Sequence, residues 1–379
     1  MLRRHTLLLL KRRLAAFPAA ALLGPRQSGK TTLAKGLSAH YFDLEQQEDR
    51  LRLDLRWDEL MAARRPLVLD EAQAWPAVFP RLRGAIDRSP SRNGRFLLLG
   101  SVSPVLMKKV SESLAGRLAT CELTPFFLPE VGVGRTDALW LHGGYPGGSL
   151  LHPRRFPLWQ SEYLNILSQK DLPAWGLPAK PQMTQRLFKM LAIGHGQMWN
   201  ASQAGQSLGL SYHTVNTYLD YLVNSYLIHL LPPYHANLRK RLVKAPKMYW
   251  RDSGLLHALM GVDSMASLLS QPWVGVSWEG FVVEQIRAHL SAQGKPFDAF
   301  FMRTSDGHEI DLVLEYAGKL WAVEVKLSAS PGPEDLARLN RAADLIGADR
   351  RVLLSRTPKV VESGRLFSGD LASFLESLG

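Results

Sequence analysis

Three short segments hold the residue types that do phosphate and metal chemistry. GPRQSGKTT at residues 24–32 has the spacing G-x-x-x-x-G-K-T and follows an apolar run at residues 20–23, the context a phosphate-binding loop requires. In that reading Gly24, Pro25, Arg26, Gln27, Ser28, Gly29, Lys30, Thr31 and Thr32 surround the phosphates of ATP. Backbone N–H groups and the start of the next helix cradle the anion, Lys30 neutralises the β and γ charges, and Thr31 is a magnesium ligand. LVLDEAQ at residues 67–73 ends another apolar run in adjacent acids. Asp70 would hold magnesium through its water shell, and Glu71 would orient and deprotonate the attacking water. Adjacent acids are often only solvated charge, but the end of an apolar strand is a position where they converge on a ligand.

The third segment is EIDLVLEYAGKLWAVEVK at residues 309–326, two alternating strands around a turn at Gly318. The pleat predicts Ile310, Leu312 and Leu314 on one face and Asp311 on the other. In the second strand Trp321, Val323, Val325 and Leu327 take the core face, which leaves Ala322, Glu324 and Lys326 together on the opposite one. Glu324 then stands beside Lys326, and Asp311 can join them.

The elements that must position these residues are those of an α/β chain. Short apolar runs at residues 20–23, 41–44, 67–69, 96–99 and 119–123 alternate with helical stretches, the pattern of a five-stranded parallel sheet with helices on both faces. A Gly/Pro-rich stretch, residues 129–157, contains GGYPGG at 143–148, and Trp159 and Tyr163 open a further helical region ending near Gly176. Within SYHTVNTYLDYLVNSYLIHL, residues 211–230, Val215, Leu219 and Leu222 recur at helical spacing and predict a core face. Ser211, His213, Asn216 and Thr217 would stay outside, as on the recognition helix of a helix-turn-helix. Segments 226–231 and 239–249 could form a wing, and Arg239, Lys240, Arg241, Lys244 and Lys247 a basic stripe along a phosphate backbone. Tyr212 and Tyr249 could stack on bases, although aromatic residues at such spacing are more often core. Residues 278–290 read as a helix feeding the last module.

Composition narrows the classes. The 379 residues carry a net charge of +12 and a pI near 9.8, which favours a polyanionic partner. A single cysteine, Cys121, in an apolar strand, excludes a disulfide scaffold and a thiolate zinc cluster. The apolar run Leu7 to Leu10 is far too short to span a bilayer and is flanked by Arg3, Arg4, Lys11, Arg12 and Arg13. The expectation is a cytoplasmic protein with no membrane partner.

The order of the blocks resembles the bacterial and archaeal AAA-type ATPases joined to a C-terminal domain of unknown function. GPRQSGKTT, LVLDEAQ, GSVSPVLMKKVSESLAGR, GGYP, KMYWRDSGLL and the terminal EID with EVK follow one another across most of residues 15–330. The resemblance implies a P-loop AAA-type ATPase core at residues 1–128, a helical lid or connector at 129–182, a winged helix at 183–268 and a restriction-endonuclease-like α/β domain at 269–379. By the family pattern Ser101 corresponds to a γ-phosphate sensor, and Arg117 lies where an arginine finger occurs, which implies a ring or another homo-oligomer. The last segment resembles the D…ExK centre of PD-(D/E)xK nucleases. Asp311 and Glu324 would ligate magnesium with the Val325 carbonyl, Lys326 would position or activate water, and Glu279 would be the additional acid. A hairpin with one charged, solvated face is the alternative. The function expected is a magnesium-dependent ATPase that remodels or translocates DNA, branched or single-stranded, with endonuclease activity as a further expectation. A nucleotide-dependent protein-interaction switch with an inactive nuclease-like domain is the alternative.

Overall fold

A computed structural model describes residues 2–100, 114–234 and 244–379. The first unit is built on β1 (Ala19–Leu23), β2 (Tyr41–Asp43), β3 (Leu67–Asp70), β4 (Phe96–Gly100) and β5 (Leu118–Glu122), in the order β2-β3-β4-β1-β5. Every pairing among them is parallel. Their apolar character is nearly continuous because each face is covered. Ala19, Ala21, Leu69, Phe96 and Leu98 pack with Phe79, Leu82 and Ile86 on one side. Ala20, Leu22, Val68, Leu97 and Leu99 pack with Leu9, Leu10 and Leu14 of the helix Thr6–Ala16 on the other. Adjacent residues of one strand therefore serve opposite cores. Cys121 lies in the second of these, and burial pushes its thiol up to about 11, so it is an inert packing residue.

The connector and the middle module follow. Helix Leu158–Ile166 runs into a π-helical turn, Leu167–Asp171, that ends beside the phosphate-binding loop. Helices Pro181–Ile193, Ala201–Leu208 and Tyr212–Asn224 pack on one core containing Val215, Leu219 and Leu222. Asn200 and Ser211 cap the second and third, accepting from Gln203 N and Thr214 N at 3.1 Å each. Between these helices Gly205 permits a close approach, since a Cβ there would stand 2.6 Å from the Leu210 carbonyl oxygen. β6 (Ile228–Leu231) and β7 (Lys247–Trp250) then form an antiparallel pair.

The third unit is a six-stranded mixed sheet in the order β12-β13-β11-β10-β9-β8. Its strands are β8 (Phe297–Arg303), β9 (Glu309–Tyr316), β10 (Lys319–Val325), β11 (Arg350–Leu354), β12 (Val361–Ser363) and β13 (Leu366–Gly369). Helices Val274–Gln293 and Pro333–Ile346 contribute to separate cores on it. The alternative of a hairpin with one charged, solvated face does not hold: Val313 and Ala322 are fully buried with Leu339, Ala342 and Ala343 of the second helix. Ile310 also packs in that cluster rather than with Leu312 and Leu314. A register shift between Phe300 and Met302 breaks the simple alternation opposite it.

The units share packing. Leu128 at the end of the first unit and Leu139, Trp140, Leu141 and Leu150 of the connector lie in one apolar cluster with Trp278, Phe281, Leu312 and Val323. GGYP meets RDSGLL there. Gly144 N donates to Asp252 Oδ2 at 2.8 Å, and a Cβ on Gly143 would fall 2.1 Å from Asp252 Oδ1. A Cβ on Gly254 would fall 2.1 Å from the His142 carbonyl oxygen, so both blocks need glycine for the same contact. Among the described residues no helix is long and apolar enough to cross a membrane.

Candidate functional site

The loop 24–32 leaves the carboxyl end of β1, where ligand crevices of open α/β sheets form. Gly24 has φ +150°, and a Cβ there would lie 2.3 Å from the Leu123 carbonyl oxygen, so the loop starts flush against the neighbouring strand's exit. Gly29 adopts φ +97° just before the helix Lys30–Lys35. The Lys30 side chain curls back, with Nζ donating to the Gly24 and Pro25 carbonyls at 2.9 and 2.8 Å. Burial lowers its ammonium to about 8 against the opposing charges of Glu71 and Asp70. An arriving polyphosphate would restore full protonation and replace the carbonyls as acceptor.

Thr31 Oγ1 donates to Asp70 Oδ2 at 2.7 Å, and Tyr41 OH donates to the same oxygen at 2.6 Å. These are hard oxygen donors gathered at one point, which suits magnesium. Burial, then Asp70, pushes the Tyr41 phenol up, so it stays a donor. Glu71 follows with φ +46° and ψ +48°, a left-handed conformation uncommon for a non-glycine residue. Its carboxylate accepts from Gln73 Nε2. Burial pushes the Glu71 carboxyl up, with Gln73 and Lys30 opposing, which is the direction that strengthens a general base. Lys30, Thr31, Asp70, Glu71, Gln73, Arg26, Glu45 and Trp175 line a cleft of about 230 Å³.

Several groups that hold this loop carry no spacing signal. Arg4 Nη1 donates to Ser28 O at 2.9 Å, Nη2 donates to Thr124 O, and Nε pairs with Glu130 at 3.1 Å. Arg4 and Glu130 lie 126 positions apart, and from sequence Arg4 is only one of several basic residues flanking an opening helix. The Arg26 guanidinium pairs with Asp171 of the π-helical turn, and Tyr163 OH donates to Arg26 O at 3.0 Å. Arg251 joins all three units: Nη2 meets Glu122 of β5 at 2.6 Å and Nε meets Glu284 of helix Val274–Gln293 at 3.0 Å. His229 lies 3.4 Å from Glu284, but burial and then Arg287 and Arg251 hold its imidazole neutral.

Other expected positions are placed differently. Ser101, Arg239, Lys240 and Arg241 lie outside the described residues. Arg117 precedes β5 at the amino end of the sheet, opposite the cleft, and its Nε meets Asp87 Oδ1 at 2.7 Å. His213 and Thr217 are exposed, with Thr217 Oγ1 turned back to the His213 carbonyl at 3.0 Å. Asn216 is half-buried and accepts from Trp199 Nε1 at 2.9 Å, which commits its amide oxygen inside the module. Lys244 is exposed. Lys247 is not part of an exposed basic stripe. It is 3 % exposed, and its Nζ lies 3.0 Å from Glu279 Oε1 and 2.7 Å from Glu309 Oε1. Tyr249 is fully buried and donates to Glu279 Oε1 at 2.5 Å, so it stacks on nothing outside.

The carboxylates of the third unit do come close. Asp311 Oδ2 accepts from Val325 N at 2.8 Å, and Glu324 Oε1 accepts from Lys326 Nζ at 2.6 Å. Burial, then the Glu279 and Glu324 charges, pushes the Asp311 carboxyl well up; burial also raises Glu324 against Lys326. The Lys247 ammonium, however, already compensates Glu279, so this set does not fit a divalent ion as it stands. Among the described residues no three His, Cys, Asp or Glu side chains are arranged to hold a metal ion.

An AAA domain matches residues 16–132, and two domains of unknown function, DUF8612 and DUF4143, match residues 134–266 and 274–369. Uncharacterized proteins from Mycobacterium tuberculosis and Mycobacterium bovis are each 36% identical over 378 residues, covering 97% of this chain and 85% of theirs. The solved Walker-type ATPase of Pyrococcus abyssi is similar at 15% identity and TM-score 0.47, covering 68% of this chain and 95% of its own.

Proposed function

We infer the function from one premise: this chain belongs to the family of the mycobacterial proteins it matches along nearly its whole length, and its first unit is an AAA-type ATPase domain. On that premise we propose that it is a magnesium-dependent ATPase whose turnover moves the middle and C-terminal units against the first, and that DNA is what they act on. The observation that carries the ATPase reading is the convergence of Lys30, Thr31, Asp70 and Glu71 on one cleft. Lys30 binds the β and γ phosphates, and the loop from Gly24 to Thr32 wraps them. Thr31 and Asp70 would hold magnesium, which would offset charge on the phosphates. Glu71, oriented by Gln73, places the attacking water and takes its proton.

Transmission is proposed through side chains already bridging the units. Arg26 ties the loop to Asp171, and Arg251 ties β5 to the middle module and the C-terminal helix. The helix pair Ala201–Leu208 and Tyr212–Asn224 with the β6–β7 pair supports a winged-helix reading, and the Asp311–Glu324–Lys326 arrangement supports a nuclease-like ancestry for the last unit. Net charge of +12 supports DNA as partner. In a homo-oligomer, Arg117 would have to leave Asp87 to reach a neighbouring copy's phosphates. No cleavage step is assigned to the last unit. A second reading, a nucleotide-dependent protein-interaction switch, is favoured by the ammonium at its carboxylates.

ATP turnover measured with and without single-stranded and branched DNA tests the proposal. Glu71→Gln should keep ATP binding and lower turnover by about 10²–10⁴-fold, the usual worth of a general base, whereas Lys30→Ala should lose binding. Unchanged turnover in Glu71→Gln would sink the assigned role. Absence of DNA binding at low salt, with no effect of DNA on turnover, would remove DNA and leave the switch.

A further inference from the structure

The middle module reaches into the carboxylates of the C-terminal unit. Lys247, the first residue of β7, places Nζ 3.0 Å from Glu279 Oε1 and 2.7 Å from Glu309 Oε1. Glu279 belongs to helix Val274–Gln293 and Glu309 opens β9, so one ammonium spans two elements of another unit. Burial disfavours that charge, but Glu279, Asp311 and Glu309 together outweigh it and hold the amine protonated. Tyr249 donates to the Glu279 oxygen that Lys247 also meets, so the same strand supplies two donors to it.

The placement is set by the backbone. Lys247 pairs with Leu231 across the β6–β7 ladder and bridges Met198 on its other side. The ammonium also lies over the Phe301 ring, with Nζ 5.6 Å from its centroid. A lysine is almost never buried without a partner, because an unpaired buried ammonium is very costly. Here one partner, Glu279, is a carboxylate that a nuclease-like centre would use for a divalent cation, and the other, Glu309, opens the strand that carries Asp311. Lys326 takes Glu324 and Val325 N takes Asp311, so the remaining acids are engaged as well. An incoming metal would have to displace Lys247 and strand it in the interior.

We propose that Lys247 is the resident cation of this carboxylate centre, so that the centre clasps β7 to the C-terminal unit and takes up no divalent metal while β7 is docked. The proposal rests on the nuclease-like reading of residues 309–326 for what the centre would otherwise bind. Docking of β7 and metal uptake are then alternatives, and whatever lifts β7 would open the centre.

Manganese binding to the full, nucleotide-free chain, read from the electron paramagnetic resonance signal of free Mn²⁺, tests this. Wild type should show no site that Asp311→Asn removes. Lys247→Met should gain one site per chain, lost again in Lys247→Met with Asp311→Asn. Equal Asp311-dependent binding in wild type and Lys247→Met overturns the proposal and leaves the nuclease-like reading standing. Absence of such a site in both overturns the proposal together with that reading. Should Lys247→Met fail to fold, amine acylation of wild type read by mass spectrometry decides: Lys247 should stay unlabelled while exposed Lys244 reacts, with and without Mn²⁺. Labelling of Lys247 in the folded chain, or its exposure on adding Mn²⁺, overturns the clasp.

Discussion

Replacing Arg4 tests whether the opening helix is part of the nucleotide site. Its side chain is 5% exposed and that of Glu130 0%, and the two are in contact at 3.1 Å. Burial pulls the guanidinium down and pushes the carboxyl up despite their attraction, so each charge tolerates the interior because the other is there. Arg4→Met should therefore strand a buried carboxylate and cost about 3–5 kcal/mol. Of this, roughly 2–3 kcal/mol belongs to the uncompensated charge, and the rest to the Ser28 and Thr124 carbonyls that lose their donor. Adding Glu130→Gln removes the charge while an amide oxygen can still accept from His5 N, as Glu130 does now at 2.8 Å. The double variant should regain those roughly 2–3 kcal/mol in urea unfolding at neutral pH. It should still bind ATP about tenfold more weakly, about 1.4 kcal/mol, because Ser28 O remains without its charged donor. A double variant no more stable than Arg4→Met, or one with normal ATP affinity, refutes the reasoning.

Other perturbations follow from the same geometry. Gly144→Ala would drive a Cβ to 2.1 Å from the Phe126 carbonyl oxygen; a loss of at least about 2 kcal/mol in unfolding free energy is expected, and wild-type stability would contradict the packing. Tyr41→Phe removes one of the donors to Asp70 Oδ2 and should cost about 1 kcal/mol while altering the magnesium dependence of turnover; an unchanged magnesium profile would show that Tyr41 does not set the Asp70 carboxylate. His257, bonded through both ring nitrogens to Leu141 O and Ser277 Oγ, is lowered by burial from 6.5 to about 4. Its stabilising share is present above pH 6.5 and lost as pH falls towards 4, at up to about 1.4 kcal/mol per pH unit. The stability difference between wild type and His257→Gln should shrink over that window, and a constant difference in urea midpoints would refute it.

The strand positions of the first unit were legible because both faces are buried and the apolar runs are unbroken. The expected run 96–99 became Phe96–Gly100, and 119–123 became Leu118–Glu122. The loop 24–32 and the Asp70–Glu71 pair were legible because their spacing is local. Arg4, Glu130, Asp171, Glu122 and Glu284 were not, because a buried ion pair between distant positions leaves no periodicity. Lys247 was misread for a related reason. A lysine within a basic run looks solvated, and only the approach of Glu279 and Glu309 reverses that. Alternation in residues 309–326 located two strands but not their surroundings, since a helix on each side buries polar and apolar positions alike.

The contact between GGYP and RDSGLL has a consequence for how this chain can be recombined. Gly143 and Gly144 with Asp252 and Gly254 form one lock, cut so close that none of its glycines admits a methyl group. A hybrid joined by a single crossover between them takes half of that lock from each parent. Such hybrids should fold only when the parents supply glycine at 143, 144 and 254 and aspartate at 252, whatever the similarity of the rest of the chain.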